Sequence, residues 1–136
     1  MASRIVSVRI DHSKYLDFIK VAENFKNGAE LAIEFGYYNA AGVLIVHSAI
    51  ALADSITIKY SSSKIKGDSH YDIIALLKNV LPPKLMNDSA VDHLKKIIDQ
   101  KNSVSYSGDI YHKADIAKLN KHFVRFSGWA NSILER

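Results

Sequence analysis

Apolar residues recur every three or four positions along most of this chain, which is the period of helices buried along one face. From Ser13, a candidate N-cap, the residues Tyr15, Phe18, Ile19, Ala22, Phe25, Ala29, Ala32 and Ile33 make one such face, ending near Gly36. Gly28 weakens this helix without breaking it. Asn39 is placed to cap a second helix, which runs from Ala40 through Ala53 towards Tyr60 and has no polar face. A helix apolar all round must be central. Its small residues (Ala40, Ala41, Gly42, Ser48, Ala49, Ala51, Ala53) let neighbours approach closely.

Ser61 to Asp68 reads as a flexible polar loop, after which Asp68 or Ser69 caps a short helix carrying Tyr71, Ile74, Leu77 and Leu81, stopped by Pro82-Pro83. Asn87, Asp88 or Ser89 opens a helix with Val91, Leu94, Ile97 and Ile98 inward, closing near Lys101-Asn102. A loop from Ser103 to His112 leads to the last helix. There Ala114, Ala117, Leu119, Phe123, Phe126, Ala130 and Ile133 form the stripe, with Trp129 and Leu134 at its edge. Only residues 4–10 differ, being rich in β-branched side chains that favour extended backbone. One short strand cannot make a sheet, so an arm lying on the bundle or on a partner chain is expected. The reading is all-α: an up-and-down bundle of four to five helices over residues 13–136, preceded by an arm, residues 1–12.

Composition narrows this further. A chain of 136 residues is one domain by length, and 48% apolar with 24% charged residues is a globular balance that excludes disorder. The absence of cysteine excludes disulfides, a thiolate nucleophile and a Cys-based zinc site. Arg4 and Arg9 interrupt any secretory apolar segment, and the most apolar stretch, Ala40 to Ala53, contains His47 and falls short of the ~20 residues of a membrane span. A cytoplasmic protein with no membrane contact is expected. The net charge of +4 is a mild bias that permits contact with a polyanion, and a solvated mixed-charge surface is its default reading.

Polar residues on the central helix are the first candidates for chemistry. His47 and Asp54 stand seven residues apart and share a face, where each needs a partner, and His70 has the reach to return to that face. A polar cluster locking helix register is one reading, and a metal site from the same residues is a sharper one with poor ligand spacing. No metal and no cofactor are expected. Lys59, Lys64 and Lys66 surround the serine loop, while Lys118, Lys121 and Arg125 share one face of the last helix. Were the two patches to converge, they would form a phosphate track, to which Tyr106 and Tyr111 would add stacking surface. Lys101 sits at a helix C-terminus, where the macrodipole favours a cation.

The central helix Gly42 to Asp54 with His47, then His70 opening a helix with Leu76-Leu77, then Lys101-Asn102-Ser103-Val104-Ser105-Tyr106, resembles a prokaryotic HEPN-domain protein across residues 13–136. The resemblance implies a helical bundle that forms a homodimer. Many such proteins are metal-independent endoribonucleases, often toxins paired with a nucleotidyltransferase-like antitoxin, and their motif is an arginine followed four to six residues later by histidine. Lys101 stands in the place of that arginine and Tyr106 near that of the histidine. Lysine keeps the charge and loses the bidentate fork, and a phenol with pKa near ~10 transfers protons poorly at neutral pH. His112 lies outside the family spacing.

The resemblance therefore implies a non-catalytic homodimeric module that binds nucleic acid, a nucleotide or another protein. The alternative it allows is a metal-independent endoribonuclease, with Lys101 holding phosphate, Tyr106 or His112 moving the proton and Asn102 orienting the scissile group. A second alternative is a structural partner of a neighbouring protein. Binding residues under these readings are His47, Asp54, His70, His112, Lys118, Lys121 and Arg125.

Overall fold

The three-and-four spacing of the first third folds as α1 (Tyr15–Glu34), and the uniformly apolar segment as α2 (Tyr38–Ser61), in a computed structural model that describes residues 5–67 and 70–136. Then follow α3 (Asp72–Val80), α4 (Asp88–Asp99), a five-residue helix α5 (Lys101–Ser105) and α6 (Lys113–Leu134). The five longer helices form an all-α bundle. At its centre is α2, which packs against α1, α3, α4, α5 and α6. Its Ala41, Val46, Ala49, Ala53, Ile56 and Ile58 are fully buried, so these small residues are consumed by contacts within the chain, while Ala40 is exposed.

Contrary to the length argued from Ala40 to Ala53, α2 spans 24 residues and is long and apolar enough to cross a membrane by those criteria alone. Its most apolar window is 83% buried inside the bundle, which the core helix of a globular domain also shows.

The helix ends show which side chains act as caps. Asn87 does so as expected, its Oδ1 accepting from Ala90 N at 3.0 Å to open α4. Ser13 does not cap α1. Instead the Asp11 carboxylate accepts from Ser13 N and Oγ at 2.9 and 2.8 Å and starts a 3-10 turn (His12–Lys14) that feeds into α1, because an aspartate bonds readily to the backbone two residues on. Asn39 lies inside α2, which begins at Tyr38 without a side-chain cap, and has a different role described below. The Asp68 or Ser69 cap lies outside the described residues. Before Pro82, Leu81 turns extended and ends α3.

Two expectations about loops are corrected. The arm pairs as β1 (Ser7–Arg9) antiparallel with β2 (Ser63–Ile65), with Val8 opposite Lys64, so the serine segment is an ordered strand and the arm lies on its own bundle. Ser62, in the left-handed conformation at φ 53°, turns the chain from α2 into β2. Isolated strand signals are weak, and each of these became a strand only by finding the other. Next, the helix expected to close near Lys101-Asn102 ends at Asp99, and the supposed loop begins as α5.

In α6 the buried stripe is Ile116, Leu119, Phe123, Phe126, Ala130, Ile133 and Leu134, while Ala114 and Ala117 face solvent. Trp129 is at the edge as expected, its indole donating to Leu85 O at 3.1 Å.

Candidate functional site

The segment from Lys101 to His112 is held in place from beneath. Buried Val104 rests on Gly42 of α2, where any Cβ would overlap the valine side chain. Asn39 then clamps the chain that follows: its Nδ2 donates to Val104 O at 3.1 Å and Asp109 O at 2.8 Å, and its Oδ1 accepts from Tyr111 N at 2.9 Å. Tyr111 is buried, and its hydroxyl donates to Gln100 Oε1. Ser103 Oγ donates to Asp109 Oδ2 at 2.8 Å. A short surface segment is thus rigidly mounted on the central helix.

On that mount, Lys101 Nζ stands 6.0 Å from the centroid of the Tyr106 ring, which is 76% exposed. Asn102 contributes through its backbone, its carbonyl accepting from Tyr106 N and Ser107 N at the end of α5. Half-buried His47 is also close. Burial first, and the Lys101 ammonium second, hold its pKa below the usual histidine range, which favours the neutral imidazole. Its ring packs against Phe25, with centroids 5.9 Å apart.

The structure separates His47 from Asp54. Seven residues along a helix restore the face but advance it about 10 Å, beyond reach of a hydrogen bond. Buried Asp54 faces Lys64 instead. Burial pushes its carboxyl pKa up to about 6 against the attraction of that ammonium, and its Oδ1 has no hydrogen-bond partner among the described residues. Half-buried His70 begins the turn into α3, its carbonyl accepting from Ile73 N at 3.2 Å. Among the described residues, no group of three or more His, Asp or Glu is arranged to hold a metal ion.

The two basic patches do not merge. Lys59 Nζ donates to the carbonyls of Ile133, Leu134 and Arg136 at 3.3, 2.9 and 3.1 Å, closing the C-terminus of α6 between the rings of Tyr15 and Tyr60. Lys118, Lys121 and Arg125 lie exposed towards the other end of α6, on the side of α4. His112 is exposed just before α6, its backbone N donating to Asp115 Oδ2 at 2.8 Å.

Sequence reasoning missed His93 and His122. Their Nδ1 atoms lie 2.8 Å apart across the α4–α6 seam, beside a groove of about 460 Å³. Each precedes or follows a buried stripe residue, His93 before Leu94 and His122 before Phe123, which marks both as seam positions. Nothing short of the α4–α6 pairing joins them. No family model and no curated protein matches this chain.

Proposed function

We propose that this bundle is a HEPN-like, non-catalytic module that binds single-stranded RNA and works as a homodimer. One observation carries the reading: an exposed tyrosine ring with a lysine ammonium beside it, on a segment fixed by Asn39 and Gly42. A base stacks on such a ring while the ammonium meets the adjoining phosphate. Lys118, Lys121 and Arg125 extend the cationic surface. For the homodimer, α1 and α6 are the suited elements, since they leave a groove of about 330 Å³ floored by Ile45 and Phe123, with Val124 exposed at its rim.

The endoribonuclease reading has one feature in its favour, the half-buried imidazole of His47, which burial and the field of Lys101 push towards its neutral form. A neutral imidazole is a competent base where Tyr106 is not. Fluorescence anisotropy with a labelled RNA oligonucleotide in EDTA, followed by gel analysis of the same samples, separates the two. Salt-sensitive binding of intact RNA, weakened about tenfold in Lys101→Ala and Tyr106→Ala, is the expected result. Cleavage lost in Lys101→Ala and His47→Ala replaces it with the nuclease. Neither binding nor cleavage sinks both and leaves a partner protein, such as a nucleotidyltransferase-like one, as the role to test. A sedimentation mass of one chain at micromolar concentration would overturn the homodimer.

A further inference from the structure

We propose that the groove between α4 and α6 is a binding site for a phosphate-type oxyanion, with His122 in its wall and His93 hydrogen-bonded to it as a pair that takes up a proton when the anion enters. The proposal shares Lys118, Lys121 and Arg125 with the RNA surface above but does not require RNA to be the ligand.

The groove is open to solvent, holds about 460 Å³ and is lined from α4 by Lys96 and Asp99, then by Gln100 just past its end, and from α6 by Asp115, Lys118, Leu119 and His122. That volume accommodates a phosphate with a small organic group attached. Its two carboxylates, Asp99 and Asp115, stay anionic but each is held by hydrogen bonds. Asp99 accepts from the Tyr71 hydroxyl at 2.5 Å and meets Lys95 Nζ at 3.5 Å. Asp115 accepts from His112 N at 2.8 Å. Outside the groove, Asp92 pairs with the groove's Lys96 at 3.2 Å. Lys118, Lys121 and Arg125, by contrast, have no carboxylate within ion-pair distance among the described residues. Three cations without an ion-pair partner among the described residues therefore stand along one face of α6, and Lys118 of these lines the recess.

The imidazole pair adds what lysines cannot. A hydrogen bond between two Nδ1 atoms requires one ring to donate and the other to accept, so the pair holds at most one extra proton while that bond lasts. Burial and the neighbouring cations hold both histidines below the usual range: Arg125, Lys96 and Lys121 act on His93 against Asp92, and His93, Lys96, Lys118 and Lys121 act on His122. A dianion among those cations reverses the local field. The pair then gains its proton, and the new imidazolium N–H is one more charge-assisted donor to the ligand. A divalent metal is the poorer occupant, because two imidazoles without a third ligand among the described residues would hold it amid four repelling cations.

Sulfate is the probe that isolates the effect, since it remains a dianion throughout the pH range in which histidine titrates. Titration followed by two-dimensional amide NMR should move the signals of Lys96, Lys118, Leu119 and His122. The affinity should rise about tenfold from pH 8 to pH 6, and calorimetry in buffers of different ionisation enthalpy should report proton uptake. His93→Gln with His122→Gln should lose the tenfold gain at pH 6 and bind at every pH about as weakly as the wild type does at pH 8, while Lys118→Met with Lys121→Met should weaken binding about tenfold at every pH. Parallel titrations with inorganic phosphate, a mononucleotide and an RNA oligonucleotide distinguish a small phosphate ligand from a nucleic-acid backbone. Shifts scattered over all surface lysines, affinity in the wild type that does not change with pH, or tighter binding of zinc than of sulfate at the histidines would each overturn the proposal. Loss of RNA binding with the sulfate response intact would sink the RNA reading alone.

Discussion

Gly42 of α2 lies directly beneath Val104 of α5, leaving no room for a Cβ between the central helix and the candidate functional segment. A glycine in a helix interior costs about 1 kcal/mol relative to alanine, so its presence here is explained by the close approach it permits. The same contact joins the best-packed part of the chain to its most exposed tyrosine, Tyr106.

Gly42→Ala is expected to destabilise the protein by about 1–3 kcal/mol despite the better helix propensity of alanine, because the overlap forces α5 outward. Denaturant unfolding measures the loss. Pairing the change with Val104→Ala, which removes the overlapping methyl groups, should recover part of it relative to Val104→Ala alone, and strictly additive losses would show that the two residues are not in contact.

Asn39 should be irreplaceable by its closest relative. Asn39→Ala removes three hydrogen bonds to the 104–111 segment and should cost about 1–3 kcal/mol. Asn39→Asp keeps the acceptor for Tyr111 N but turns an oxygen towards the carbonyls of Val104 and Asp109, so it should be at least as damaging. Amide hydrogen exchange at Tyr111 is the readout: it should accelerate in the alanine variant.

Asp54 predicts an unusual pH dependence. Its carboxyl value in the folded protein, about 6, lies above the ordinary 3.8, so the native chain binds the proton more tightly than the unfolded one. This group's contribution is therefore most favourable below pH 3.8, declines as the pH rises through the window to about 6, and is level above it. Asp54→Asn abolishes that dependence. The variant should gain on the wild type by about 2–3 kcal/mol between pH 4 and pH 7, measured by urea unfolding at each pH. A difference that stays flat would mean the carboxyl is solvated in the native state.

Lys59 should behave as a helix cap with no role at the RNA or anion surface. Lys59→Met removes the ammonium from the carbonyls of Ile133, Leu134 and Arg136 and should lower stability by about 1–3 kcal/mol, with faster amide exchange in the last turn of α6. RNA and sulfate affinities should stay at wild-type values, whereas Lys118→Met with Lys121→Met should show the opposite pattern.

What the amino-acid order determined by itself is the five longer helices and the place of α2 among them, not the short α5. Helical period, the absence of a polar face from Ala40 to Ala53, the Asn87 cap and the Pro82-Pro83 stop are read within a few residues, and they describe how local backbone and burial must agree. Tertiary structure alone decided the rest. The strands exist because residues 7–9 meet residues 63–65, and Asn39 became a clamp because Val104 and Tyr111, 65 and 72 positions away, came within its reach. His93 and His122, 29 positions apart, became a pair only when α4 docked on α6. A hydrogen bond acts over about 3 Å in space and is blind to separation along the chain, so periodicity reports which face of a helix is buried and never which side chain it will meet there.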